Sequence, residues 1–183
     1  MCTPAWKIGM IGTVYFVGWA TTLLWLPRFG DIYGRQRVFA IGMTLNLLMY
    51  TAMMFTRDLN IMLVSVFIQG ALTSLMCGVG WIYHMEIVPM HMRTYMGTVT
   101  ANLDSATYLL ATLYFWKVSK DWFYFALIGY IMNVIAAIGA WLLPESPPYL
   151  CEKGAVEELE QSLKTIAKFN GRQLKFNPEQ FKL

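Results

Sequence analysis

The sequence predicts an all-α membrane protein, and two observations support that fold class: a low content of charged residues and a series of long apolar runs. Of the 183 residues, 57% are hydrophobic and 14% are charged, whereas soluble domains have roughly 25% charged residues. The mean hydropathy is +0.46. The net charge of +3 is too small to indicate a nucleic-acid partner. We therefore expect the lipid bilayer to surround this chain.

Five apolar runs, separated by charged residues, are the predicted membrane spans. A helix needs ~20 residues to cross a hydrocarbon layer ~30 Å thick, and each run is close to that length. Backbone amides in lipid must be paired within the segment, so we expect helices. Buried helices of a soluble bundle are the alternative, which the scarcity of charge disfavours. The spans cover about residues 8–27, 38–56, 59–83, 95–116 and 122–143.

The distribution of Lys and Arg predicts which ends of the spans share a membrane face. The connections after spans one, three and five lie on one face, together with the C-terminus. That face has all of the 14 Lys and Arg except Lys7, Arg57, Lys117 and Lys120. The positive-inside rule places it in the cytosol, or in the matrix if the membrane is mitochondrial. A plasma membrane and a mitochondrial inner membrane are both compatible with this pattern.

The tail, residues 144–183, differs in character from the spans. It opens with the proline-containing segment PESPPYLCEKG and continues with a segment in which apolar residues recur every three or four positions. Helical spacing of the apolar residues predicts an amphipathic helix over about residues 155–169. This helix is expected either against the end of the bundle, or in the lipid interface, or as a solvated linker. Its apolar positions are Val156, Leu159, Leu163 and Ile166.

Three short motifs follow the predicted spans in a fixed order. Asp-x-x-Gly-Arg-x-Arg, residues 31–37, lies in the predicted loop after span one. Glu-x-x-Pro-x-x-x-Arg-x-x-x-Gly, residues 86–97, follows span three, and PESPPYL, residues 144–150, follows span five. Together they resemble motifs of the major facilitator superfamily, in particular of its sugar porters and organic-cation transporters. The resemblance covers nearly the whole chain and implies that its spans are helices two to six of the family's N-terminal six-helix half.

The charged residues of the three motifs are predicted to share one membrane face. The resemblance implies an ion-pair network there, which links neighbouring helices and latches the two halves of a transporter. Arg35 and Arg93 are the expected donors, because a planar guanidinium binds a carboxylate through two hydrogen bonds; Asp31 and Glu86 are the expected acceptors. Asp31 is also a candidate cap for span two, and simple fixing of topology by the arginines is the alternative. The predicted network comprises Asp31, Gly34, Arg35, Arg37, Glu86, Arg93 and Glu145.

Asp104 is the one acid placed deep within a predicted span. At 1.5 Å per residue it lies ~13 Å from the nearer end of span four. An ionisable residue at that depth is a functional candidate, here for contact with a cationic or hydroxylated substrate or for carrying a proton. The alternative is a buried acid that is bonded to neighbouring polar side chains, with Asn102, Ser105 and Thr107 as candidates.

Two classes of function remain open from the sequence. The first is a part of a secondary transporter that moves a small polar or cationic solute by alternating access; the remaining helices of the transporter are then its partners, because five helices are too few to enclose the cavity. The second is a non-transporting accessory subunit of a larger membrane complex, for example an inner-membrane energy-coupling assembly. The second reading draws on departures from the family pattern at Pro27, Ile32, Val66 and Pro148. No enzymatic activity, cofactor or metal site is predicted from either.

Overall fold

A computed structural model describes residues 5–171, and every regular element in that range is a helix. A 3₁₀ turn, Met90–Met92, precedes the fifth α-helix, and a π turn, Tyr114–Val118, extends it. The α-helices in chain order are α1 (Ala5–Thr22), α2 (Arg28–Tyr33), α3 (Arg35–Phe55), α4 (Leu59–Ile87), α5 (Arg93–Leu113), α6 (Trp122–Leu142), α7 (Pro147–Glu152) and α8 (Val156–Phe169).

Three stretches of the described chain are long and apolar enough to cross a membrane. They are Arg35–Phe55, Leu59–Ile87 and Trp122–Glu152, the last of which begins with α6. The helices α1 and α5 do not reach the same measure of hydropathy, because α1 contains Lys7 and several Gly and Thr residues while α5 is rich in Thr and other polar residues. That all five runs cross the membrane therefore stays a prediction. Large apolar side chains nevertheless face outward along each long helix, as at Phe16, Leu48, Val64, Leu109 and Ile138.

The segment after the first span differs from the predicted loop. Helix α1 ends at Thr22 and not at residue 27, because the chain turns there: the Trp25 and Leu26 amides both donate to the Thr22 carbonyl. Pro27, which has no amide hydrogen to donate, then directly precedes the short helix α2. Gly34 alone separates α2 from α3, so the motif of residues 31–37 forms a tight helical corner.

The centre of the bundle is α4, with α1 and α3 packed against it. Val38, Leu75 and Val79 form the buried apolar cluster, and Leu26 and Phe39 pack onto it. The interface of α1 and α4 is a backbone contact: a Cβ atom built on Gly70 would collide with the Tyr15 carbonyl, and one built on Gly18 would collide with the Phe67 carbonyl. Small residues permit such close approach of helices in lipid.

The interface of α3 and α6 uses hydrogen-bonding side chains instead. The Asn133 amide donates to Asn46 Oδ1 over 3.4 Å near the middle of both helices. The other bonds of this interface run from the Tyr50 hydroxyl to the Ala126 carbonyl (3.1 Å), from the Thr51 hydroxyl to the Tyr130 hydroxyl (3.3 Å), from Trp141 Nε1 to the Thr44 hydroxyl (3.0 Å) and from Gln36 Nε2 to the Ala140 carbonyl (2.9 Å).

The tail helix α8 lies against the segment that follows α6. Its Ser162 hydroxyl donates to the Glu145 carbonyl over 2.7 Å, and Leu159 is almost completely buried. Of the locations that the sequence left open, the structure thus has α8 packed on the end of the helical bundle. The remainder of the predicted tail, residues 172–183, lies outside the described residues.

Candidate functional site

Arg35, the first residue of α3, is the centre of a charge cluster at the corner between α2 and α3. Its side chain is only 12% exposed, and it forms an ion pair with Glu86 in the last turn of α4. It also pairs with Asp31 over 3.4 Å, one helical turn earlier in the chain. The Asp31 side chain is 62% exposed, and an exposed pair contributes only ~0–1 kcal/mol to stability. The pair with Glu86 is therefore the one that joins α3 to α4, and both of its side chains are largely shielded from solvent.

Glu86 extends this connection to α7. Its second carboxylate oxygen accepts a hydrogen bond from the Ser146 hydroxyl. Ser146 is fully buried and is the N-cap residue of α7, where its hydroxyl oxygen accepts from the Tyr149 amide. One carboxylate thus joins the start of α3, the end of α4 and the start of α7. We call Arg35, Glu86, Ser146, Glu145 and Asp31 the Arg35 cluster.

Glu145 caps α3 from a distance in the sequence. Its Oε1 accepts from the Gln36 amide over 2.8 Å and from the Ser146 amide over 3.1 Å. The first amides of a helix have no partner within it, and the positive end of the helix dipole favours a carboxylate there. The expectation that Asp31 caps this helix is wrong, because Asp31 lies inside α2, on its exposed side, and bonds to Arg35.

Gly34 is required at the corner for two reasons. Its φ of 105° is rare for residues that carry a side chain. A Cβ atom at this position would also lie 2.5 Å from Glu145 Oε2. The glycine of the motif therefore lets the Glu145 carboxylate approach the start of α3.

Two predicted members of the network lie apart from these contacts. Arg93 begins α5, and its Nε donates to the Val88 carbonyl over 3.4 Å; within residues 5–171 it forms no ion pair. Pro89 and the turn after it separate it from Glu86. Arg37 is exposed and borders a polar cleft of about 210 Å³, next to Glu145 and Lys153.

Asp104 faces a separate cleft of about 530 Å³ between α3, α4 and α5. The candidate partners Asn102, Ser105 and Thr107 instead donate to carbonyls one turn earlier on α5, and Asp104 itself is exposed. Asp104 is thus an exposed acid and not a buried one that is hydrogen-bonded to neighbouring side chains. The cleft is otherwise lined by aromatic and small residues, with Phe39, Trp81, Cys77, Gly80 and Ala101 among them.

Sequence reasoning missed His84 and Ser146 as parts of these sites. His84 lines the same cleft as Asp104, and its Nε2 is buried without a partner among the described residues. No local pattern marks this pairing, because the two residues lie on different helices. Ser146 did leave a signal: a Ser followed by Pro-Pro is typical of a helix start. Within the described range, no group of three His, Cys, Asp or Glu residues is placed to hold a metal ion.

The sequence matches the family model described as "Sugar (and other) transporter" over residues 3–182. It is 25% identical over 173 residues to Solute carrier family 22 member 16 of Xenopus laevis, and this match covers 93% of the chain and 30% of the relative. It is 28% identical over 160 residues to Sugar transporter ERD6-like 10 of Arabidopsis thaliana (86% and 34%). It is 27% identical over 171 residues to the Niacin transporter NiaP of Acinetobacter baylyi (92% and 39%).

The chain thus spans about a third of the length of the curated relatives it matches. The match to the family model extends over nearly all of the chain, from the first apolar run through the tail. The chain is therefore a multi-pass membrane protein that belongs to the sugar (and other) transporter family of the major facilitator superfamily, whose members are transporters and not enzymes.

Proposed function

We propose that this chain forms part of one helical half of a solute carrier, with α1, α3, α4, α5 and α6 as membrane-crossing helices. Family membership and the helical bundle support this proposal. Alternating access requires two bundles that rock about a site between them. The chain covers about a third of its relatives, so further helices would complete the carrier. Its solute is a small polar or cationic molecule, the class that the names of the relatives suggest.

The Arg35 cluster is proposed to latch this half against its partner. The single observation that carries the proposal is the bonding of Arg35 to Glu86 and of Glu86 to Ser146, which joins three helix ends at one face. A buried ion pair contributes little net stability, but removal of one partner is costly. Such a pair is therefore suited to hold helices in register. Arg35 Nε is buried and has no partner among the described residues.

Uptake by the native carrier, with substitutions introduced into its gene, tests the latch. Arg35→Ala is expected to lower the uptake rate about tenfold, a typical coupling effect. The double variant R35E/E86R restores the attraction and is expected to recover part of the loss. Arg28→Ala is the matched control, because Arg28 is exposed on the adjacent short helix and forms no ion pair within residues 5–171. Equal uptake by the Arg35→Ala and Arg28→Ala variants contradicts the proposal.

Asp104 and His84 are proposed as the solute-facing or proton-carrying groups of the cleft between α3, α4 and α5. An exposed carboxylate beside aromatic rings suits a cation. Asp104→Asn is expected to abolish uptake of a cationic solute and to spare that of an uncharged sugar. If uptake of both falls and the uptake that remains no longer depends on a pH gradient, the proton role is supported instead. Unchanged uptake in every assay rejects both roles.

The size and topology of the native protein test the wider proposal. An antibody against the segment 144–171 should detect a polypeptide about three times the 21.0 kDa of this chain. A 21.0 kDa polypeptide that stays in a large complex in mild detergent would support the accessory-subunit alternative. After replacement of the native cysteines, a cysteine introduced at residue 57 or 119 should react with an impermeant maleimide in intact cells or mitoplasts. One at residue 153 should react only after permeabilisation.

A further inference from the structure

An apolar cleft on the outside of the bundle is not explained by the transport site. It has a volume of about 450 Å³ and lies between α2, α3 and α4. Phe29, Ile41 and Leu45 line it and are partly exposed, so the cleft opens toward the surroundings of the bundle. Its walls are apolar except at one end, where Tyr33 and Arg37 lie. The volume is within the ~300–1,000 Å³ of small-molecule sites.

The same two residues connect this cleft to a polar one. Tyr33 and Arg37 also line the polar cleft of about 210 Å³, which Lys153 and Tyr149 complete on the side of the tail. The Lys153 ammonium group donates to the Ile32 carbonyl over 3.4 Å and so stays next to the corner between α2 and α3. The apolar cleft therefore adjoins a polar cleft with two cationic side chains.

The acids near the polar cleft leave these cations available. Glu145 lines it, but its Oε1 already accepts from the Gln36 amide of α3 and from the Ser146 amide. Glu158 is exposed on the first turn of α8, where the helix dipole stabilises it. Neither Arg37 nor Lys153 forms an ion pair in the part of the chain that the structure describes. A ligand with one phosphate group and a long apolar chain matches both clefts at once.

We propose that the two clefts form one binding site for an anionic phospholipid, with an acyl chain along Phe29, Ile41 and Leu45 and the phosphate bound by Arg37 and Lys153. Basic residues at a membrane face attract anionic lipids, and here the apolar cleft adjoins them at Tyr33 and Arg37. This site does not depend on the transport proposal, because it lies on a different side of α3 from Asp104. Its role would be to fix the corner between α2 and α3 against the tail.

The test is the binding of lipid to the full native polypeptide, purified in detergent. Native mass spectrometry measures the retained lipid, and a thermal-shift assay measures the apparent Tm. The probes are dioleoyl phosphatidylglycerol and dioleoyl phosphatidylcholine, which share acyl chains and differ in charge. We expect tighter retention of the phosphatidylglycerol and a higher apparent Tm in its presence. The double variant R37A/K153A should weaken phosphatidylglycerol binding about tenfold. R57A/K120A, which removes the same charge elsewhere, should leave it unchanged.

A third variant separates the apolar part of the site from the polar part. Leu45→Trp fills the apolar cleft and should reduce binding of the lipid while both cations remain. Glycerol 3-phosphate, which has the phosphate but no acyl chains, should not compete. Equal retention of the two lipids, a phosphatidylglycerol preference that survives R37A/K153A, or full competition by glycerol 3-phosphate would overturn the proposal. Circular dichroism and gel filtration confirm that the variants are folded; Arg37, Lys153 and Leu45 are exposed, so little disturbance is expected.

Discussion

The interface of α1 with α4 and the interface of α3 with α6 are built by opposite means. The first brings backbones together at Gly18 and Gly70, and two hydroxyl pairs flank that contact, Tyr15 with Thr73 over 3.2 Å and Thr22 with Ser74 over 2.8 Å. The second is connected by a series of polar side chains, and a Cβ atom built on Gly129 or Gly139 of α6 would meet no backbone atom of α3. In lipid, contact at short range and interhelical hydrogen bonds are the two main sources of helix association. The difference predicts that the first interface tolerates almost no added volume, while the second loses stability in small steps.

The largest effect is expected where a methyl group has no room. Gly18→Ala and Gly70→Ala each place a Cβ atom against a backbone carbonyl that cannot move aside as a side chain can. Overpacking of this kind costs about 1–3 kcal/mol. We expect a clear loss of apparent Tm, measured by intrinsic fluorescence in detergent. Gly12→Ala is the control on the same helix, because a Cβ atom there meets nothing within 4 Å. Equal effects of Gly12→Ala and Gly18→Ala would contradict the backbone-contact interpretation.

The next effect concerns the end of the α3–α6 interface, where Glu145 caps α3. Glu145→Ala removes the acceptor of the Gln36 amide, and loss of a helix cap costs about 0.5–2 kcal/mol. Glu145→Gln keeps an acceptor oxygen and removes the charge, so it should lose less. Thermal unfolding of both variants checks the order. A Gln variant as unstable as the Ala variant would assign the effect to charge and not to the hydrogen bond.

A smaller effect is expected in the middle of the same interface. Asn133→Leu removes one interhelical hydrogen bond, which in membrane proteins contributes about 0.6 kcal/mol on average. The double-mutant cycle of Asn46→Leu and Asn133→Leu measures their coupling directly. A coupling near zero would mean that the polar series of α3 and α6 does not act through its hydrogen bonds.

The smallest effect is expected on α5, which has no buried residue. The Leu109 side chain is 60% exposed and touches no packed core. Leu109→Ala should therefore change the stability of the bundle by no more than ~0.5 kcal/mol. A loss comparable to that of Gly18→Ala would show that another surface covers α5 in the intact assembly.

The sequence predicts the helical membrane fold well because period and hydropathy are local properties. Gly70 and Ser74 lie one turn apart on α4 and both contact α1, and such spacing of small residues is likewise a local pattern. The corner at residues 28–37 is different: an apparent loop becomes α2 and the start of α3, because Pro27 and Gly34 permit a turn that needs no long connection. The likeness to transporter motifs marks these residues as candidates but does not give their geometry.

The contacts within the candidate site are predicted in part. The grouping of Arg35 with Glu86 follows from counting membrane faces, since both are placed at the same ends of their helices. That Glu145 and not Asp31 caps α3 does not follow, because a cap from a distant segment depends on how α6 and α7 return to α3. Arg93 is separated from Glu86 by a proline turn whose direction no local pattern specifies. The cleft shared by Asp104 and His84 requires the tilt of α5 against α4, which composition does not encode.

The cap of α3 has a consequence for biosynthesis. Gln36 and Glu145 are 109 positions apart in the chain, so α3 leaves the ribosome long before its cap exists. At translation rates of ~5–20 residues per second, the interval is about 5–20 s. During this time the amides at the start of α3 must bond to water, to lipid headgroups or to a chaperone. The start of α3 therefore acquires its final cap only after α6 and Glu145 have been made, and a nascent chain that stalls earlier has an uncapped helix start.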